Sequence, residues 1–251
     1  RDAMDLKEPE SRVLRECFTR FAPDFCLNLH DQRTIFGAGD RDFPATLSFL
    51  APSMDEDRTV TEVRKKAMQV IVSMNEALQE VIPKQVGRFD DGFNINCSGD
   101  YFQFCEVPTI LFECGHYQDD YLREKTREFF TFSLLTALEA IASGSYGDKD
   151  FRNYFKIPEN KKSFYDIILH NAMISGEKTD VAIQYSERIK AGKIDFVPLV
   201  ALMATQLSYY GHREIDCKGG EVKNLDERQL AENDIVDHIL LNGSVISFNI
   251  E

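Results

Sequence analysis

The 251-residue sequence predicts an α/β fold, a mixed, largely parallel sheet flanked by helices, followed by a small β-rich domain. Three observations lead there. Short apolar runs alternate with long amphipathic stretches through about the first 143 residues, as when strands and helices are laid down in turn. The run at 107–113 reads VPTILFE, apolar at consecutive positions in its centre, as befits a strand covered on both faces. Beyond Gly144-Ser145-Tyr146-Gly147 the helical periodicity ends and short apolar runs take over. The expected domains are accordingly 1–147 and 148–251.

The first element is a helix over 9–21. Pro9 loses no needed N–H in a first turn, and Glu10 suits the positive end of the helix dipole. After Pro23, Phe25, Leu27 and Leu29 alternate with Cys26, Asn28 and His30, which gives a strand with Asn28 and His30 on one face. Residues 31–58 are rich in Gly, Asp and Pro and read as loop, apart from a short strand at 45–50. From Thr59 to Val81 apolar residues recur at three and four (Val63, Ala67, Val70, Ile71, Met74, Leu78), which predicts a second helix. Thr59-x-x-Glu62 has the spacing of a capping box at its start. Gly87, Asp90, Gly92, Asn94 and Gly99 mark 84–100 as irregular loop.

The strand at 107–113 comes next, then a long helix from about 119 to 142 with Leu122, Phe130, Leu134, Leu138 and Ile141 turned inward. In the last part the runs 164–169, 181–185, 194–199 and 245–250 read as strands, and Ala191-Gly192 supplies a turn between two of them.

Composition narrows the function. Twenty-nine basic against forty-two acidic side chains leave a formal charge of −13, which repels nucleic-acid backbones and anionic membranes. No uncharged apolar run has the length of about 18–20 residues that spans a bilayer, so neither nucleic acid nor membrane is an expected partner. Six cysteines without CxxC spacing fit free thiols in a reducing, cytoplasmic setting. Nothing in the sequence speaks to oligomeric state.

Two ionisable groups end core strands: His30 and Glu113. In open α/β sheets ligands bind beyond the carboxyl ends of the strands. A lone histidine there is more often a hydrogen-bonded structural residue than a ligand. A carboxylate after Ile110-Leu111-Phe112 asks for more, because its burial must be offset by solvation, a partner or a function. His116 is expected at the rim or surface, with a partner behind the site residues as the alternative, and Asp31 as a loop carboxylate. His170, His212 and His238 form no recognisable cluster.

Arg1-Asp2, Pro9-Glu10-Ser11, LNLHDQ at 27–32 and VPTILFE at 107–113 stand in an order and spacing that resembles the zinc carboxypeptidases of the M14 peptidase family, a bacterial branch in particular. The resemblance covers roughly residues 1–143. It implies Zn²⁺ as cofactor, His30 as third zinc ligand, Glu113 as general base, and Arg1 as the arginine of an Asn-Arg pair that grips a substrate carboxylate. In such a site Zn²⁺ with three protein ligands keeps a position for water and lowers its pKa. The base takes the proton and passes it to the leaving amine.

Two departures qualify it. No histidine here is followed by glutamate at the third place, so the HxxE motif that supplies the family's other two ligands is absent. Since the first residue is Arg1 and not Met, the expectation is that a preceding segment carries HxxE and neighbouring sheet strands, and that this stretch alone is inactive. The zone in which many members place a tyrosine, before Glu113, reads RFDDGFN. Arg88 or Asn94 is the candidate to contact substrate there, with a plain solvated loop as the equal alternative. The expected activity is hydrolysis of a C-terminal peptide bond in a peptide or peptide-like substrate. The alternatives are an aspartoacylase-like deacylase of N-acyl amino acids, or an inactive fragment or binding module.

Overall fold

A computed structural model describes residues 1–250. The chain is mixed α/β and divides into two compact units, Arg1–Lys161 and Lys162–Glu251. The division falls later than 147/148 because the 3₁₀ turns Ser145–Asp148 and Phe151–Lys156 fold onto the first unit, whose core buries Tyr154 and Ile157.

Helix α1 (Pro9–Phe21) opens on proline. Its first turn has no side-chain cap of its own. Instead the Asp2 carboxylate accepts the Lys7 and Glu8 N–H groups at 3.1 and 2.8 Å. Strands β1 (Cys26–Asp31), β2 (Phe36–Ala38) and β3 (Leu47–Leu50) precede helix α2 (Glu62–Gln79). The cap of α2 is Thr61 and not Thr59: Thr61 Oγ1 accepts the Arg64 N–H at 3.3 Å, which makes Glu62 the first helical residue.

The stretch 84–100, expected as loop, contains β4 (Val86–Arg88) and the start of helix α3 (Ser98–Phe104). Both are too short to show a period, and tertiary packing sustains them. Strand β5 (Thr109–Cys114), helix α4 (Glu124–Ser143) and strand β6 (Asn160–Lys162), which pairs with β2, complete the series. On α4 the expected inner face holds in part: Phe130, Leu134 and Ile141 pack half-buried against the core, and two of the expected residues do not. Leu122 precedes the helix and is 66% exposed, and Leu138 is 48% exposed. The fully buried positions are Thr126, Ser133, Ala137 and Ala140, a stripe centred about 130° around the helix from Leu138.

The sheet of the first unit has the order β1-β5-β3-β4, with β1 at one edge. The β1/β5 and β3/β4 pairs are parallel and β5/β3 is antiparallel, so the sheet is mixed. Leu47 and Phe49 of β3 and Ile110 and Phe112 of β5 are buried in one core with Met68, Ile71, Met74 and Leu78 of α2. Phe49 and Phe112 meet edge to face at 5.2 Å. Each such side chain contributes about 1.5–3 kcal/mol by burial. Because side chains alternate along a strand, the residues between these core positions face the other side of the sheet.

The second unit consists of strands β7 (Phe164–Ile174), β8 (Glu177–Lys190), β9 (Lys193–Ala204), β10 (Tyr210–Asp216), β11 (Val222–Asn224), β12 (His238–Leu241) and β13 (Ser244–Ser247). They form a sheet in the order β10-β7-β8-β9 and a smaller one in the order β11-β12-β13. The β8/β9 hairpin closes through Ala191 (φ 50°) and Gly192 (φ 75°), the two positive φ values a two-residue hairpin loop demands. His170 bridges strands, lying 3.5 Å from Asp180 and 3.3 Å from Glu214.

Candidate active site

His30 and Glu113 are register partners on the parallel strands β1 and β5. Neighbouring strands lie about 4.8 Å apart, so the two side chains leave the same face of the sheet side by side at the carboxyl ends of β1 and β5. Register extends the row through Ser48 of β3 to Gly87 of β4. His30 is exposed, whereas Glu113 is 7% exposed.

Beside Glu113 lies a closed ring of hydrogen bonds among buried or half-buried amides and a hydroxyl. Gln32 Nε2 donates to Ser48 Oγ at 3.1 Å, Ser48 Oγ to Asn160 Oδ1 at 3.0 Å, and Asn160 Nδ2 to Gln32 Oε1 at 3.0 Å. Gln32 Nε2 also donates to the Ala45 carbonyl at 2.8 Å. Two glycines make room for the ring. A Cβ on Gly87 would stand 1.9 Å from Asn160 Oδ1, and one on Gly115 would stand 2.0 Å from the Ala45 oxygen and 2.6 Å from Gln32 Nε2.

This ring satisfies its own members and donates nothing to Glu113. Among the described residues the Glu113 carboxylate has neither hydrogen bond nor ion pair. Its oxygens are also absent from the fully buried atoms that lack a partner, so the carboxyl keeps access to water. Burial, with a smaller contribution from the negative charge of Asp31, pushes the Glu113 carboxyl up to about 7.

The strand ends are fastened by a residue with no sequence signal, Arg123 just before α4. Its guanidinium donates to the carbonyls of Cys114 at 3.1 Å, Gln32 at 3.2 Å and Gly115, and it pairs with Asp31 at 3.3 Å. One side chain thus ties the end of β1 to the end of β5. Asp31, expected as a loop carboxylate, is half of this clasp. His116 is not at the surface. Gly115 approaches β3 closely and its N–H donates to the Thr46 carbonyl at 2.9 Å, which draws His116 to 2% exposure against Tyr121.

Of the other candidate residues, Arg1 and Asn94 come to one neighbourhood. Asn96 accepts N–H groups from Ala3, Met4 and Asp5, and Asn94 Oδ1 accepts the Asn96 N–H at 3.0 Å. The charge of Arg1 is felt by Asp100 in the first turn of α3, a carboxyl that burial nevertheless raises to about 6. Helix α3 borders the His30 face, since Gly99 lies against the amide of Asn28. Arg88 goes elsewhere. Its register partner is Phe49, on the core-facing side of the sheet, and its guanidinium pairs with Glu159 at 2.5 Å over the Tyr154 and Phe155 rings.

The donors around His30 do not by themselves fit a metal. The described residues gather no group of three or more His, Cys, Asp and Glu side chains able to hold an ion, so they do not amount to a zinc site. No family model, curated protein or solved structure matches the chain.

Proposed function

We propose that the first unit carries part of the chemical centre of a zinc-dependent metallocarboxypeptidase resembling the M14 family, with Glu113 as general base and His30 as a zinc ligand. The observation that supports this reading is the pairing of His30 with a carboxyl poised near neutrality, on adjacent parallel strand ends. A carboxyl raised to about 7 is roughly half ionised at neutral pH. It takes a proton from water and returns it to a departing amine without a large penalty in either direction. The Arg123 clasp holds the strand ends, and the ring of Gln32, Ser48 and Asn160 keeps competing donors away from Glu113. The zinc role of His30 requires two further donors that the described residues do not assemble, so no turnover is assigned to this chain by itself.

In this reading the partner is a peptide or peptide-like amide. Six free cysteines favour a reducing setting such as the cytoplasm, and no helix is long and apolar enough to cross a membrane. Arg1 and Asn94, beside α3, are the candidates to meet the substrate, and Arg88 is occupied by Glu159.

The test is product analysis on the natural protein with Zn²⁺ present, using a peptide with a free C-terminus and its C-terminally amidated counterpart. The expected result is release of the last residue from the free peptide alone, lost in Glu113→Gln. Equal cleavage of both peptides would replace the exopeptidase by a deacylase-like activity, and unchanged cleavage by Glu113→Gln would remove Glu113 from the chemistry.

A further inference from the structure

The first unit has a concave site at the other edge of its sheet. A cavity of about 470 Å³ opens between α2, β4 and the turn that leads to Pro158. Its floor is apolar: Val72, Val86 and Ile157 are buried, and Phe43 and Pro158 wall it. Three cations line it, Arg41, Lys84 and Lys156.

Those cations are uncompensated in a chain of net charge −13. Elsewhere in the unit Arg58, Arg64, Arg123 and Lys149 are each held by a carboxylate. Arg41, Lys84 and Lys156 form no ion pair with any described residue. The carboxylate in the lining, Glu76, is taken by Lys149 at 2.6 Å. Lys156 reaches Asp150 only at long range, and that carboxylate is already held by Arg152 at 2.9 Å. Of the neutral groups, Gln79 Nε2 donates to Asn75 Oδ1 at 3.0 Å, and Gln79 Oε1 accepts the Lys84 N–H at 2.8 Å. Lys84 Nζ stands 5.0 Å from the centre of the Phe43 ring, so cation and aromatic wall are presented together.

An apolar cup rimmed by positive charge is complementary to a ligand with a flat or branched apolar body and one anionic group. We propose that this cavity binds a small amphipathic carboxylate, with its apolar body on Val72, Val86 and Phe43 and its carboxylate among Arg41, Lys84 and Lys156. The volume lies within the usual range of about 300–1,000 Å³ for small-molecule sites. The site does not involve Glu113. Val86 and Ile157 face away from the polar ring, whose members Ser48 and Asn160 crowd the neighbouring Gly87.

The experiment is calorimetric titration of the 251-residue chain with 2-naphthoate and with its neutral counterpart 2-naphthamide. The expected result is saturable one-to-one binding of the acid, with the amide weaker by about tenfold, the order of effect of losing a charge-assisted contact. The double variant Lys84→Gln/Lys156→Gln changes only exposed side chains and is expected to weaken the acid by about tenfold or more with an unchanged circular-dichroism spectrum. Glu113→Gln is expected to bind as the parent does. No saturable binding of the acid, equal binding of acid and amide, or an affinity untouched by the double variant would each overturn the proposal. Loss of binding in Glu113→Gln would move the ligand to the strand-end site and overturn it as well.

Discussion

At the scale of single residues, Glu113 carries the electrostatic tension of the fold. Its carboxyl is raised from 4.5 to about 7 by folding, first through burial and then through Asp31. Below about pH 4.5 it is protonated folded and unfolded alike and has no effect on stability. As pH rises from about 4.5 to about 7 only the folded chain retains the proton, so stability falls across that window and stays lower above it. Allowing for solvent screening at a carboxyl that still meets water, the loss above neutrality is on the order of 1–2 kcal/mol. Glu113→Gln is therefore expected to stabilise the first unit by about that amount at roughly pH 8 and to change little at roughly pH 4, measured by urea unfolding. An equal effect at both pH values would contradict a charge penalty from burial as the cause. Glu113 and His30 were legible in the sequence because each ends an apolar strand. Gln32, Ser48 and Asn160 were not: their ring closes between positions 128 residues apart, and no local pattern announces it.

At the scale of elements, the long periods and the apolar strands were readable, and the short pieces in glycine- and asparagine-rich stretches were not. Helix α2 follows the recurrence at three and four, and that recurrence also explains Arg64, which precedes Ala67 and Met68 by one turn and so faces inward. Read by residue type, Arg64 belongs to solvent. In the structure it is 1% exposed, donating to the Ala51 carbonyl at 3.0 Å and the Arg58 carbonyl at 2.7 Å and pairing with Asp91 at 2.6 Å. It ties α2 to the segment after β3 and to the loop after β4. Arg64→Ala leaves Asp91 half-buried with only Arg58 beside it, and is expected to destabilise by about 3–5 kcal/mol in urea unfolding. A loss within about 0.5 kcal/mol, typical of a surface substitution, would show that the pair carries no such weight. Strand β4 and helix α3 escaped the sequence because glycine and asparagine dominate their neighbourhood, yet β4 places Gly87 and α3 borders β1.

At the scale of the whole molecule, alternation of period predicted a mixed α/β chain, and the sheet order β1-β5-β3-β4 came from long-range pairing that no window displays. The parallel β1/β5 pair joins segments more than seventy residues apart and turns two separate strand ends into one edge. With a single histidine on that edge and no three-ligand cluster among the described residues, Zn²⁺ titrated into the 251-residue chain is expected to show no tight stoichiometric uptake and no rise in Tm. Tight uptake would reveal a donor set other than the one described. The proposed function rests on Glu113 as a proton acceptor poised near neutrality beside His30, and it is tested most directly by following the Glu113 side-chain carboxyl carbon by NMR through a pH titration of the intact chain. The expected midpoint lies near 7. A midpoint near the ordinary glutamate value of about 4.3 would contradict it.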